Sequence, residues 1–249
     1  MINVGRGRGG GSELLQTAPL TVVLIAANVL AYIAQRQDTS IVLIHSGTTG
    51  GDRLADGSFE GHFLLWGPMV AAGEWWRLLT TGFLHASPIH LGTNMLSLFF
   101  IGRALEPALG SLRTGLIYLV SLAAGSLGVM ILAPGEGAIG ASGAIFGLAG
   151  ALLVIGQSRG IGIMQSGFGM IILLNLVFTF TIPGISIGGH IGGLLGGAAM
   201  GKVIVELERR RRGRAREFPA PLVAISLTAF AALMLVSYAL ARSKYPSVG

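Results

Sequence analysis

Four residues have types and spacings that could perform chemistry together: His90, Asn94, Ser142 and His190. A serine hydroxyl is a weak nucleophile until an adjacent base takes its proton, and imidazole is the commonest such base. Ser142 lies within Gly140-Ala141-Ser142-Gly143, and His190 within Gly188-Gly189-His190-Ile191-Gly192-Gly193. Attack on a carbonyl creates an oxyanion, which needs hydrogen-bond donors aimed at it. His90 and Asn94 are four residues apart, so on a helix they share one face and offer a ring N–H and a side-chain amide. The chemistry these residues suit is acyl transfer through serine. The chain has no cysteine, which excludes thiolate catalysis, disulfides and cysteine-held metals.

The elements that must position these residues are membrane spans. Of the residues, 52% are hydrophobic and only 11% charged, less than half the charged fraction usual in a soluble domain. The charges are also clumped. Seven apolar stretches approach the roughly 20 residues needed to cross a hydrocarbon core. They run from 19 to 35, 89 to 106, 112 to 132, 141 to 157, 167 to 182, 188 to 207 and 221 to 241. Glycine dilutes the fourth to sixth, but in lipid the backbone must bond internally, so the helix persists.

The net charge of +6 is concentrated in Arg209 to Arg212, Arg214 and Arg216, directly after an apolar stretch. That placement suits an anchor beside anionic lipid rather than a nucleic-acid surface. With a cytoplasmic N-terminus, twelve Lys and Arg fall inside and five outside (Arg36, Arg53, Arg77, Arg242 and Lys244), so this orientation is favoured. Spans two, four and six then all run inward from the outer face. His90, Asn94, Ser142 and His190 each fall in the first turn or two of one of them, at a common depth. Ionisable groups in spans are costly and point to function. Gly143 and Gly147, and Gly189, Gly193 and Gly197, form small-xxx-small rows that let spans four and six approach closely.

Between spans one and two lies an external segment, 36 to 88. Its second part, 63 to 83, is too apolar for an ordinary loop and too broken by Gly67, Pro68 and Gly73 for a span. Trp66, Trp75 and Trp76 suit the headgroup region, so it reads as a structure half sunk in the outer leaflet. A small soluble subdomain is the alternative. No cleavable signal peptide is evident, and the N-terminus reads as a short arm.

These residues resemble the rhomboid intramembrane serine proteases. Gly140-Ala141-Ser142-Gly143 matches that family's GxSG motif, and His90 to Asn94 its HxxxN motif. His190 matches its base, and Trp76-Arg77 its tryptophan–arginine pair. Gly102, Glu106 and Gly110 match GxxxExxxG, and His85 also has a counterpart. The resemblance implies an all-α polytopic fold, a six-helix bundle plus one C-terminal transmembrane helix. The expected layout is a cytoplasmic arm over 1–18, a protease core over 19–207 with the external segment inside it, a basic linker over 208–220, and a seventh helix and tail over 221–249.

It also implies a Ser142–His190 dyad, an oxyanion site of the Ser142 N–H, Asn94 and His90, span five as a lateral gate, and transmembrane proteins as substrates. Gly140, Gly143, Phe146, Trp76, Arg77, His85 and Glu106 would support the site. Phe146 stands where many members have tyrosine, and its ring can still stack on His190. No cofactor, metal or nucleic-acid partner is expected. The compact chain suggests a prokaryotic plasma membrane with the site open to the outer face.

Each residue has an ordinary reading as well. A serine in a span often only bonds the carbonyl four residues back, and Asn94 can be interhelical glue. Glu106 reads as a cap or a tie at the inner end of span two, and His45 and His62 as exposed loop residues. A zinc peptidase would want an HExxH pair, which is missing from the sequence. A transporter would want broken helices at the midplane. The remaining alternative is a catalytically silent rhomboid-like binder or chaperone.

Overall fold

The computed structural model describes residues 16–37, 58–162, 167–181, 185–210 and 220–247. His45 and most of the arginine run lie outside them. Seven long helices correspond to the seven apolar stretches: α1 (Pro19–Gln37), α5 (Pro88–Leu109), α6 (Ser111–Leu132), α7 (Ser142–Ser158), α8 (Gly167–Thr181), α9 (Ile187–Arg210) and α10 (Ala220–Lys244). Helices α1, α6, α9 and α10 are long and apolar enough to cross a membrane; α7 is apolar and shorter. Between α1 and α5 come α2 (Phe59–Phe63), α3 (Gly67–Ala71), α4 (Arg77–Thr80) and a 3-10 turn, Thr81–Phe83. Every named element is helical. The only strand-like feature among the described residues is an isolated bridge, where Leu65 and Ala138 exchange backbone hydrogen bonds of 3.1 and 2.9 Å.

The burial pattern is that of a protein dissolved in lipid. Leu30, Leu96, Leu195 and Leu235 are all more than half exposed, while Asn28, Ser121 and Ser237 are fully buried. In water so much outward leucine would drive association; in a bilayer the outside is as apolar as the core.

Helix α9 is the centre of the bundle and lies against both α6 and α7. Glycine makes this possible. A Cβ on Gly193 or Gly197 would collide with the carbonyl of Gly143 or Gly147, and one on Gly128 or Gly192 with the carbonyl of Gly188 or Ala124. The backbones therefore meet with nothing between them, the small-residue packing expected where lipid gives helices no hydrophobic reason to associate. The sequence pattern identified the α7–α9 seam. It missed the α6–α9 seam, although Ser121 and Gly125, and Ala124 and Gly128, stand four apart in the same small-residue spacing.

Polar ties fix the remaining elements. Glu106, buried near the end of α5, accepts from the Leu20 and Thr21 amides at 2.7 and 2.8 Å and from the Thr21 and Ser111 hydroxyls at 2.7 and 2.6 Å. It thus caps the N-terminus of α1, where orphan amides and the dipole favour a carboxylate. One turn earlier, Gly102 leaves room for the Thr21 side chain. Gly110, at φ 84°, ends α5.

The segment 58–83 is a set of short helices whose apolar side chains face the bundle. Leu65, Val70, Ala71 and Leu78 are buried with Val129 and Met130 of α6 and Ala241 of α10. Arg77, itself buried, holds the segment together through the Glu74 carboxylate at 2.6 Å and the Gly61 and Leu64 carbonyls at 2.6 and 3.0 Å. Trp76 donates its ring N–H to the His62 carbonyl at 3.4 Å, and His62 is exposed, as expected. Among the described residues, helix α8 touches α5 and α9.

Candidate active site

Ser142 is the first residue of α7. Gly140, at φ 128°, turns the chain into that helix in a conformation that L side chains rarely adopt. The Ser142 amide is thus one of the N-terminal donors with no partner inside its own helix. His190 lies in the first turn of α9, its amide bonded to the Ser186 carbonyl at 3.1 Å, while the Ser186 hydroxyl accepts from Gly189 at 3.1 Å. The close α7–α9 contact brings the two side chains together: Ser142 Oγ and His190 Nε2 are 2.6 Å apart. The Phe146 ring, one turn below the serine, stacks on the imidazole with centroids 4.3 Å apart and planes 20° apart. His190 is buried, so the stack and the serine together restrict its rotation.

His90 and Asn94 arrive from α5. Ser87 caps that helix, its hydroxyl accepting from the His90 amide at 3.1 Å, with Pro88 as its first residue. The His90 ring, Gly140 and Ser142 share one small space. A Cβ on Gly140 would lie 3.0 Å from His90 Cε1 and Nε2, and 3.5 Å from Ser142 Oγ. Glycine at 140 is therefore needed for the turn and for the imidazole. Asn94, also buried, donates Nδ2 to the His90 carbonyl at 3.0 Å, so one of its two amide hydrogens is committed to its own helix. Gly143 fits against the Gly189 carbonyl, which a Cβ would approach to 3.1 Å.

A cavity of about 30 Å³ opens between Ser142, His190, Gly140 and Ser186. That is room for about one water.

His85 stands just ahead of α5, fully buried, its ring edge-on to His90 at 5.0 Å. Its backbone N–H donates to Gln35 Oε1 at 3.1 Å, and Gln35 Nε2 donates to Glu60 Oε2 at 2.5 Å. The end of α1 and the helix α2 are thus tied to the residue beside His90. The sequence marked His85 as a supporting residue but not Gln35 and Glu60, which nothing in their surroundings sets apart from other polar residues near a span end. Burial lowers the His85 pKa to about 4, the neighbouring His90 adding to the effect. Among the described residues no three His, Asp or Glu side chains gather as a metal site would require.

Comparison with known proteins agrees with the fold. Residues 72–207, more than half of the chain, match the family model for the Rhomboid domain. The chain is 39% identical over 184 residues to Rhomboid protease GluP of Bacillus subtilis (strain 168), covering 71% of this chain and 33% of GluP. It is 31% identical over 227 residues to RHOMBOID-like protein 6, mitochondrial, of Arabidopsis thaliana, covering 80% of this chain and 73% of that one. To RHOMBOID-like protein 2 of Arabidopsis thaliana it is 40% identical over 149 residues, covering 57% and 46%. The aligned part is thus a third of GluP and under half of the last relative. A bundle of apolar helices with the expected motifs in order, matched over this length, makes the chain a member of the rhomboid family of intramembrane proteases.

Proposed function

We propose that this protein is an intramembrane serine endopeptidase that cleaves transmembrane segments of other membrane proteins by a Ser142–His190 dyad. The observation that carries this reading is the 2.6 Å approach of Ser142 Oγ to His190 Nε2 at the adjoining N-termini of two helices. His190 takes the serine proton as Oγ attacks the scissile carbonyl, then returns it to the leaving amine. Hydrolysis of the acyl-enzyme repeats the sequence, with His190 taking a proton from water.

The oxyanion is met by the Ser142 amide, helped by the positive end of the α7 dipole. A ring N–H of His90 and the second Asn94 amide hydrogen complete the set. Phe146 holds the imidazole flat, and Gly140 keeps the oxyanion side clear. Helix α8 is the element that moves to admit a substrate helix from the bilayer. The distribution of Lys and Arg supports a cytoplasmic N-terminus, with the dyad opening to the outer face.

The test is labelling by a fluorophosphonate in detergent, together with cleavage of a transmembrane reporter in liposomes. Parent protein should do both, and Ser142→Ala and His190→Ala neither. A folded parent that neither labels nor cleaves would replace this reading with a silent rhomboid-like binder or chaperone. Chelator-sensitive cleavage that persists in Ser142→Ala would replace it with metal-dependent hydrolysis.

A further inference from the structure

The described residues form a second concave surface that the dyad does not use. Helix α10 leans on α6 and touches α9 only lightly, which leaves a groove of about 630 Å³ between the three. Its floor is made by Gly128, Gly192 and Gly196, and its walls by side chains such as Ile131, Leu195 and Val236, which are 52%, 64% and 48% exposed. All of the lining residues are apolar.

One end of the groove carries charge. Lys244, in the last turn of α10, donates to the carbonyls of Met130 and Ile131 at 3.0 Å each. These are terminal carbonyls of α6, and Ile131 itself lines the groove. An ammonium has three hydrogens, so one is left to point away from the helix end. Among the described residues no carboxylate pairs with Lys244 or with Arg242 two residues earlier. Arg242 is exposed and gives Nη1 to the Ala71 carbonyl at 3.2 Å. A long apolar slot thus ends beside Lys244, a cation without a counter-charge among the described residues.

We propose that this groove is a phospholipid site: the acyl chains lie between α6, α9 and α10, and the phosphate sits on Lys244 in the leaflet on the dyad's side. An apolar transmembrane helix would leave the Lys244 ammonium unmatched, whereas a phospholipid matches both the apolar slot and its charged end. Bound there, the lipid fills the space between α9 and α10 and joins the seventh helix to the helix that carries His190. The site is separate from the dyad, so it can fail without the peptidase reading failing.

Native mass spectrometry of the full chain, released from detergent, tests this. Ala232 and Val236 are exposed positions on the α10 wall. The parent should retain one phospholipid after a detergent wash that strips loosely held lipid. Ala232→Trp, and independently Val236→Trp, should lose it by filling the slot, and Lys244→Glu should weaken it. Fluorophosphonate labelling of Ser142 in each variant reports that the bundle is intact. Equal retention in the parent and both tryptophan variants overturns the proposal, as does a parent that strips bare. A parent that runs as a dimer and becomes monomeric in the tryptophan variants also overturns it, because the groove is then a self-interface.

Discussion

Gly193 of α9 lies against the backbone carbonyl of Gly143 of α7 so closely that a Cβ on Gly193 has no place to go. The distance from Ser142 to His190 depends on that contact. Gly193→Ala should push the helices apart, cost about 1–3 kcal/mol as an overpacked seam does, and abolish fluorophosphonate labelling. Gly92→Ala, in open space on α5, is the matched control and should label as the parent does. Labelling of the Gly193 variant at the parental rate would contradict this account.

Phe146 stacks on His190 at 4.3 Å without needing a hydroxyl. Phe146→Tyr should therefore keep reporter cleavage within a few-fold of the parent. Phe146→Ala removes a buried ring, costing about 3–5 kcal/mol, and frees the imidazole to rotate. Its kcat should fall with KM little changed, as measured in liposomes.

Glu106 holds four donors from two other stretches of chain. Glu106→Ala leaves buried amides at the start of α1 unpaired, at roughly 1–3 kcal/mol each. Thermal unfolding in detergent should shift down clearly. Glu106→Gln keeps an acceptor and should recover part of the loss.

Arg77 bonds one carboxylate and two carbonyls from inside the external segment. Arg77→Ala strands the buried Leu64 carbonyl and leaves Glu74, which is half-buried, to solvent; an unsatisfied buried acceptor costs about 1–3 kcal/mol. Limited proteolysis should then cut within 58–83 before the rest of the chain. Arg77→Lys supplies charge without the planar fork and should be intermediate.

His85 and Glu60 should give the external segment a pH dependence of opposite signs. The imidazole takes a proton near 6.5 when unfolded and only near 4 when folded, chiefly because of burial. Its contribution to stability is complete above 6.5 and is lost as pH falls toward 4. Burial raises the Glu60 carboxyl, partly offset by the Gln35 hydrogen bond. Its contribution is present below its ordinary value and lost as pH rises through the folded one. Melting temperature should therefore fall between pH 7 and 5 in the parent and less in His85→Gln. Glu60→Gln should keep that acid-side decline while gaining stability at pH 8 relative to the parent.

Much of this was legible in the residues. Long apolar stretches located the helices, because a chain in hydrocarbon has few other ways to satisfy its backbone. The ends of α6 match the stretch read from composition, Ser111–Leu132 against 112 to 132. The external segment was legible only as irregular. Its apolar residues alternate with glycine and proline in no regular period. Their burial against Val129, Met130 and Ala241 depends on partners 50 to 170 residues away.

The sequence alone determined that the chain lives in a membrane, that Ser142 and His190 stand at the starts of apolar stretches, and that glycine rows line the faces beside them. Those properties are local: hydropathy, helical period and charge placement act over a few turns. Only the tertiary structure decided that the α7–α9 seam closes to 2.6 Å between hydroxyl and imidazole. It also decided that Asn94 spends one hydrogen on the His90 carbonyl, that Gln35 and Glu60 reach His85, and that α10 leans on α6 and leaves a groove beside α9. Each of these depends on the rotation and separation of helices about their axes. Backbone contact at glycine sets those quantities in three dimensions, and residue spacing does not encode them.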